Sequence, residues 1–225
     1  MKTSERRQNL KETLIVAATR NIDALGLAGI KARDLAAEAG CAVGAIYNVV
    51  ADLDELVLAV NARTLTMLED ELKAAADANA NADVGEGVGE GAGIASSQTG
   101  VDKSQVDEAV AQLVRLAICY LHFAAKHTRR WRAIFEHNLP EGRQLPDQYQ
   151  EQQRHLFAFI EEPLRVLQPG LAPEQSELLA RTLFSAVHGI TILGLEEKLG
   201  AVSLADLEQQ ITAILTALGA GLSLG

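Results

Sequence analysis

The chain is short of cysteine, aromatics and positive charge. Its two cysteines, Cys41 and Cys119, stand far apart among its 225 residues, each inside an apolar helical pattern. Two isolated thiols make no metal framework and read as reduced, packed side chains. Lys and Arg number 20 against 30 Asp and Glu, a formal net charge of −10, which excludes a wholly basic coat for nucleic acid. No apolar run reaches the roughly 18 to 20 residues that cross a bilayer. The charged opening "MKTSERRQNLKE" leads into no signal-peptide core. The expectation is a soluble cytoplasmic protein with no membrane partner.

Catalytic and metal signatures are also missing. There is no Ser-His-Asp order with its nucleophile turn and no glycine-rich phosphate loop before a helix. No His/Glu pair has metal spacing. His122 and His127 are five apart, off one helical face, and His137 stands in a charged, loop-adjacent stretch. The sequence therefore reads as a non-enzyme with no cofactor and no metal.

Helical periodicity fills most of what remains, and 48% of the residues are hydrophobic. Leu10, Leu14, Ala17, Ala18 and Ile22 form one stripe, bracketed at its end by Gly26 and Gly29. Short helices follow over about 31–39 and 43–49. A long helix then begins at Asp52, a candidate cap with Glu55 at the capping-box position. The Gly-, Ala- and acid-rich stretch at about 79–102 has no aromatic residue and no period, and reads as a flexible linker. Beyond it come a helix from near Ser104 and a short one over "RRWRAIFEHN". A loop marked by Pro140 and Pro146 leads to a helix kinked at Pro163. Two final apolar helices start at Pro173 and at the cap Ser203. The fold class is all-α, about nine helices with no convincing strand.

Charge divides unevenly along this pattern. Residues 1–50 carry seven Lys/Arg against five acids, so the remainder holds −12. A small basic head on an acidic body suits a DNA-binding domain joined to an effector or assembly domain. We divide the chain into a head over 1–52 and a ligand-binding and dimerisation body over 53–225.

Within the head, "RDLAAEAGCAVGAIYNVV" has the small residues, tight turn and apolar anchors of a helix-turn-helix. Ala36 and Ala39 permit close helix approach, and Gly40 suits the left-handed end of the first helix. The first fifty-odd residues resemble the DNA-binding domain of the tetracycline-repressor (TetR/AcrR) family. The resemblance rests on "LKETLIVAATRNIDALGLAGI", "ARDLAAEAG", "AVGAIYNVV" and "DLDELVLAV" as its four helical elements. It implies a homodimer with two DNA-reading heads and a body that binds a small-molecule effector.

The chain departs from the family pattern where contacts are made. After the turn glycine the family carries apolar, Ser, Lys or Arg, Gly, Thr, apolar, Tyr; here stand Cys41, Ala42, Val43, Gly44, Ala45, Ile46 and Tyr47. Val50 replaces the usual aromatic. Leu53, between Asp52 and Asp54, replaces the usual lysine of the fourth helix. Candidate DNA contacts are therefore Asn48 for adenine, Tyr47 for phosphate or sugar, and Ala42, Val43 and Ala45 for thymine methyls. Lys31 and Arg33 are candidates for the backbone, and Lys2, Arg6, Arg7 and Lys11 for a basic arm. Each has a structural alternative: a solvated terminus for the arm, a core role for Tyr47, a capping role for Asn48.

In the body, "ARTLFSAVHGITILGLEEKLG" weakly resembles family C-terminal domains with a Trp-His-Gly motif, here Val187, His188 and Gly189. Candidate ligand contacts are Cys119, Tyr120, Phe123, Trp131, Phe135, Phe157 and His188, with any pocket expected around Tyr120, Phe157 and His188. At helical spacing the same aromatics also suit a core. The last two helices are apolar across wide faces, as a four-helix bundle about a two-fold axis requires; Ala186, Gly189 and Gly194 would permit close crossing. The reading is a ligand-responsive transcriptional repressor on a near-palindromic operator. A helical ligand-binding or adaptor dimer with weakened or lost DNA binding is the alternative.

Overall fold

In the computed structural model, residues 2–78, 102–196 and 200–222 are described. Of the linker expected at 79–102, all but Asp102 lies outside them. Nine α-helices occupy the described residues, with no β-strand among them. They are α1 Lys2–Leu25, α2 Ala32–Glu38, α3 Val43–Ile46, α4 Leu53–Asp77, α5 Lys103–Lys126, α6 Thr128–Glu136, α7 Asp147–Leu167, α8 Pro173–Leu195 and α9 Leu204–Leu222; a 3-10 turn, Gly26–Gly29, follows α1.

The chain packs as two compact units, Met1–Leu68 with Phe123–Gln153, and Glu69–His122 with Arg154–Gly225. This grouping does not follow the sequence division at residue 52. In the first unit the stripe of α1 meets the helix-turn-helix: Leu14, Ala18, Ile22, Leu35 and Ile46 are fully buried, with Leu56 and Val60 of α4 and Ala133 of α6 in the same cluster. Burying such side chains contributes roughly 1.5–3 kcal/mol each. Gly40 has φ +65°, which the short end of α2 requires, and the amide of Cys41 donates to the Ala36 carbonyl at 2.9 Å.

Helix α4 starts on a cap. The amide of Glu55 donates to Asp52 Oδ1 at 2.9 Å. The Glu55 carboxylate reaches one residue further back than a capping box, accepting from the Ala51 amide at 2.7 Å. Backbone amide bonding from Glu55 holds the Asp52 carboxyl below its ordinary value, against a smaller upward push from burial and with help from Arg143.

The second unit buries Leu113, Leu116, Ala117 and Leu121 of α5, Leu164 and Leu167 of α7, Ala180, Leu183 and Val187 of α8, and Leu207, Ile211 and Leu215 of α9. Pro173 opens α8, and Ser203 caps α9 by accepting from the Asp206 amide at 3.1 Å. Pro163 lies inside α7, where it cannot donate to a preceding carbonyl. By mean hydropathy α5 and α8 are long and apolar enough to cross a membrane, although neither is an unbroken apolar run. Each has a face in this unit's core.

Candidate DNA-reading element and aromatic cluster

The reading element is short. After α3, the amides of Asn48 and Val49 bond three residues back, to Ala45 and Ile46, tightening the chain into a turn. Ile46 and Val50 point into the core, so the opposite side is solvent-facing: Ala42, Val43, Gly44, Tyr47 and Asn48 are exposed, and Ala45 is half-buried. Tyr47 retains 51% of its surface, so its ring is not a core side chain. None of these residues is a cation.

The basic arm sits beside it. Arg7 Nη2 donates to the Asn48 carbonyl at 2.6 Å, joining α1 to the end of the reading element. Lys11 Nζ is 2.5 Å from Glu55 Oε1. Burial pushes the Glu55 carboxyl up, but Lys11 and the Ala51 amide outweigh it and the net displacement is downward. Ser4, Arg7, Gln8, Lys11 and Val49 line an open groove of about 410 Å³. Arg6, Lys31 and Arg33 are exposed. The side chain of Lys2 lies outside the described residues.

The acids at the start of α4, Asp52 in the cap and Asp54 in the first turn, have partners that the sequence did not suggest. Arg143, from the loop after α6, pairs with Asp52, and its Nη1 is 3.7 Å from Asp54 Oδ2. His137 Nε2 lies 2.9 Å from Asp54 Oδ1. The partners lie 83 and 91 residues further along the chain.

The seven candidate ligand contacts divide between the two units. Tyr120, Phe157 and His188 come together in the second unit around Phe184, whose ring is 5.5 Å from Tyr120, 5.4 Å from Phe157 and 5.5 Å from His188. Phe184 was missed, although it stands one turn before His188 on α8 and the helical period was the signal for it. Phe123, Trp131 and Phe135 belong to the first unit. Phe123 and Trp131 are buried there, Phe123 packs on His127 and Trp131 on Phe135. Cys119 is half-buried; burial, aided by the Glu71 carboxylate, pushes its thiol up to about 11, so it stays protonated and unreactive.

Tyr120 Oη and His188 Nδ1 are 2.7 Å apart. Burial displaces the His188 pKa downward. A neutral imidazole accepting from the phenol through Nδ1 carries its proton on Nε2. Thr191, one turn on, is fully buried, and its Oγ1 has no hydrogen-bond partner among the described residues. Because the folded pKa of His188 is depressed, its contribution to stability is complete above the unfolded value near 6.5. That contribution is lost as pH falls from there through the folded value. Thermal unfolding followed from pH 7.5 to 5 is expected to show a steeper fall in Tm for the native chain than for His188→Gln.

Glycines on the last two helices serve different sides. A Cβ on Gly194 would lie 2.5 Å from Leu207 Cδ2, so this glycine permits the α8–α9 crossing. A Cβ on Gly189 would meet nothing within 4 Å. Around it the outer sides of α8 and α9 expose Leu178, Leu193, Ile214 and Leu218.

A helix-turn-helix head with an outward-facing surface, followed by a helical body, defines a class: all-α helix-turn-helix proteins. Residues 113–218 match the family described as tetracyclin repressor-like, C-terminal domain. That domain, with this head, supports a regulator of the tetracycline-repressor type. Solved structures share the fold. A protein of unknown function from Rhodococcus sp. RHA1 superposes with a TM-score of 0.67 at 19% identity, covering 95% of each chain. A TetR-like transcriptional regulator from the same organism gives 0.57 at 16% identity, covering 94% of this chain and 96% of the other. A TetR-family transcriptional regulator from Streptomyces coelicolor gives 0.55 at 18% identity, over 97% and 83%. No curated protein matches the sequence.

Proposed function

We propose that the chain is a cytoplasmic, ligand-responsive repressor that binds a near-palindromic operator as a homodimer and is released by a small molecule. The observation that carries this reading is the solvent-facing helix-turn-helix surface, Ala42 to Asn48, on a chain whose residues 113–218 match the family's C-terminal domain. The head over 1–52 supplies the DNA contacts. Tyr47 and Asn48 lie on its reading face, and Arg6, Arg7, Lys11, Lys31 and Arg33 serve phosphates. The body over 53–225 supplies the rest. The exposed apolar sides of α8 and α9 support a two-fold four-helix interface.

The effector is partly apolar. Phe157 and Phe184 offer ring faces, and His188 and the unpartnered Thr191 Oγ1 offer polar handles on one side of α8. Binding there favours a dimer state whose heads no longer match the half-site spacing, a coupling of typically about 1–3 kcal/mol. Mobility shifts against the DNA upstream of the protein's own gene, at two salt concentrations, test the reading. A specific, salt-sensitive complex is expected, whereas no complex at low salt would sink it. The uncharged reading face favours a second reading, an adaptor dimer without DNA binding, which that negative result would support.

A further inference from the structure

We infer that each head reads A·T base pairs through thymine methyl groups and one adenine amide contact, and makes no contact to guanine. This rests on the DNA-binding reading above and specifies the class of sequence bound. The face presented to the major groove consists of Ala42, Val43, Gly44, Tyr47 and Asn48. Val43 and Tyr47 stand one helical turn apart, as do Gly44 and Asn48, so these four form one strip on the side away from Ile46, with the exposed N-cap Ala42 at its start.

The chemistry of the strip is one-sided. The commonest specific contact to guanine is a cation donating to O6 and N7, and the strip carries no cation. The guanidinium of Arg7 donates to the Asn48 carbonyl. A carboxylate that would accept from cytosine N4 is absent from the strip as well. Asn48 remains: its main chain is held by Arg7 and by its own amide bond to Ala45, while its side chain is exposed. A side-chain amide matches adenine N6 and N7 with one donor and one acceptor. Ala42 and Val43 are bare apolar groups for which the major groove offers one apolar complement, the thymine C5 methyl. At Gly44 a Cβ would meet nothing within 4 Å, so the strip is open there and the backbone can approach the base edges closely.

Selection of random duplexes by the full-length protein, followed by base-analogue substitution, tests this. The expected half-site is A·T throughout its contacted positions. Deoxyuridine in place of an enriched thymidine removes one methyl and weakens binding about fourfold per contacted site. Asn48→Ala erases an adenine preference of about tenfold or more at one position in each half-site, with phosphate-driven affinity retained. A selected half-site with G·C pairs at its centre, or affinity indifferent to deoxyuridine and to Asn48→Ala, overturns the inference while leaving the regulator reading intact. Failure to prefer any duplex at any salt concentration overturns both.

Discussion

Glutamates at Ile214 and Leu218 are expected to turn the protein into a folded monomer that binds its operator 10²- to 10⁴-fold more weakly. The two residues stand one turn apart on α9 with 44% and 37% of their surface exposed. The opposite side of the helix, Leu207, Ile211, Leu215 and Gly219, is buried within the protomer. Charges on the outer side therefore meet water in the monomer, where surface substitutions usually change stability by no more than about 0.5 kcal/mol. In a two-fold interface each substitution appears twice, and four carboxylates would lose hydration without partners. The operator effect comes from avidity: two linked heads gain roughly 10²–10⁴ over one. Sedimentation measures the assembly, and titrations against one and two half-sites separate the terms. Single half-site affinity should be unchanged. A variant that remains dimeric would place the interface away from α8 and α9.

The elements that local pattern controls were legible in the sequence. The stripe Leu14, Ala18 and Ile22 is buried as its period requires, the turn glycine Gly40 has its positive φ, and Asp52 and Ser203 cap the helices they precede. What depends on distant pairing was not legible. Asp52 was legible as a cap, and Asp52 and Asp54 as acids flanking Leu53, where the family places a lysine, but nothing near them signals Arg143 and His137. The grouping of α6 with the first unit is of the same kind. Arg129 donates to the carbonyls of Asp23 and Ala24, and Arg130 Nε lies 2.7 Å from Asp23 Oδ1, contacts across about 106 residues. In the second unit the Tyr120–His188 pair followed from apolar faces and polar residue types. Phe184 lies outside the Val187–Gly189 motif and is marked only by the period of the whole face of α8. A flat count of aromatics also could not separate Trp131, a core residue of the first unit, from Phe157 in the second.

Trp131 provides the other large effect. It is 1% exposed, on a nine-residue helix whose Ala133 lies in the same cluster as the helix-turn-helix core. The Ala133 carbonyl accepts from Asn61 Nδ2 at 3.1 Å, and Arg129 ties the start of α6 to the end of α1. Removing the indole leaves a cavity in a segment held on several sides, which limits how far its walls can relax. Trp131→Ala is expected to cost about 3–5 kcal/mol. Domains of this kind are stable by only about 5–15 kcal/mol, so the variant should lose operator binding near physiological temperature and recover it on cooling. Phe135→Ala, one turn away with 41% of its surface exposed, should cost about 1 kcal/mol or less. Denaturant unfolding of both variants, with DNA titrations at two temperatures, checks the pair. A Trp131→Ala protein of native stability that binds its operator but no longer responds to effector would move the indole out of the core and into a ligand site. Joint loss of stability and binding ties α6, inside the matched C-terminal domain, to the integrity of the DNA-reading head.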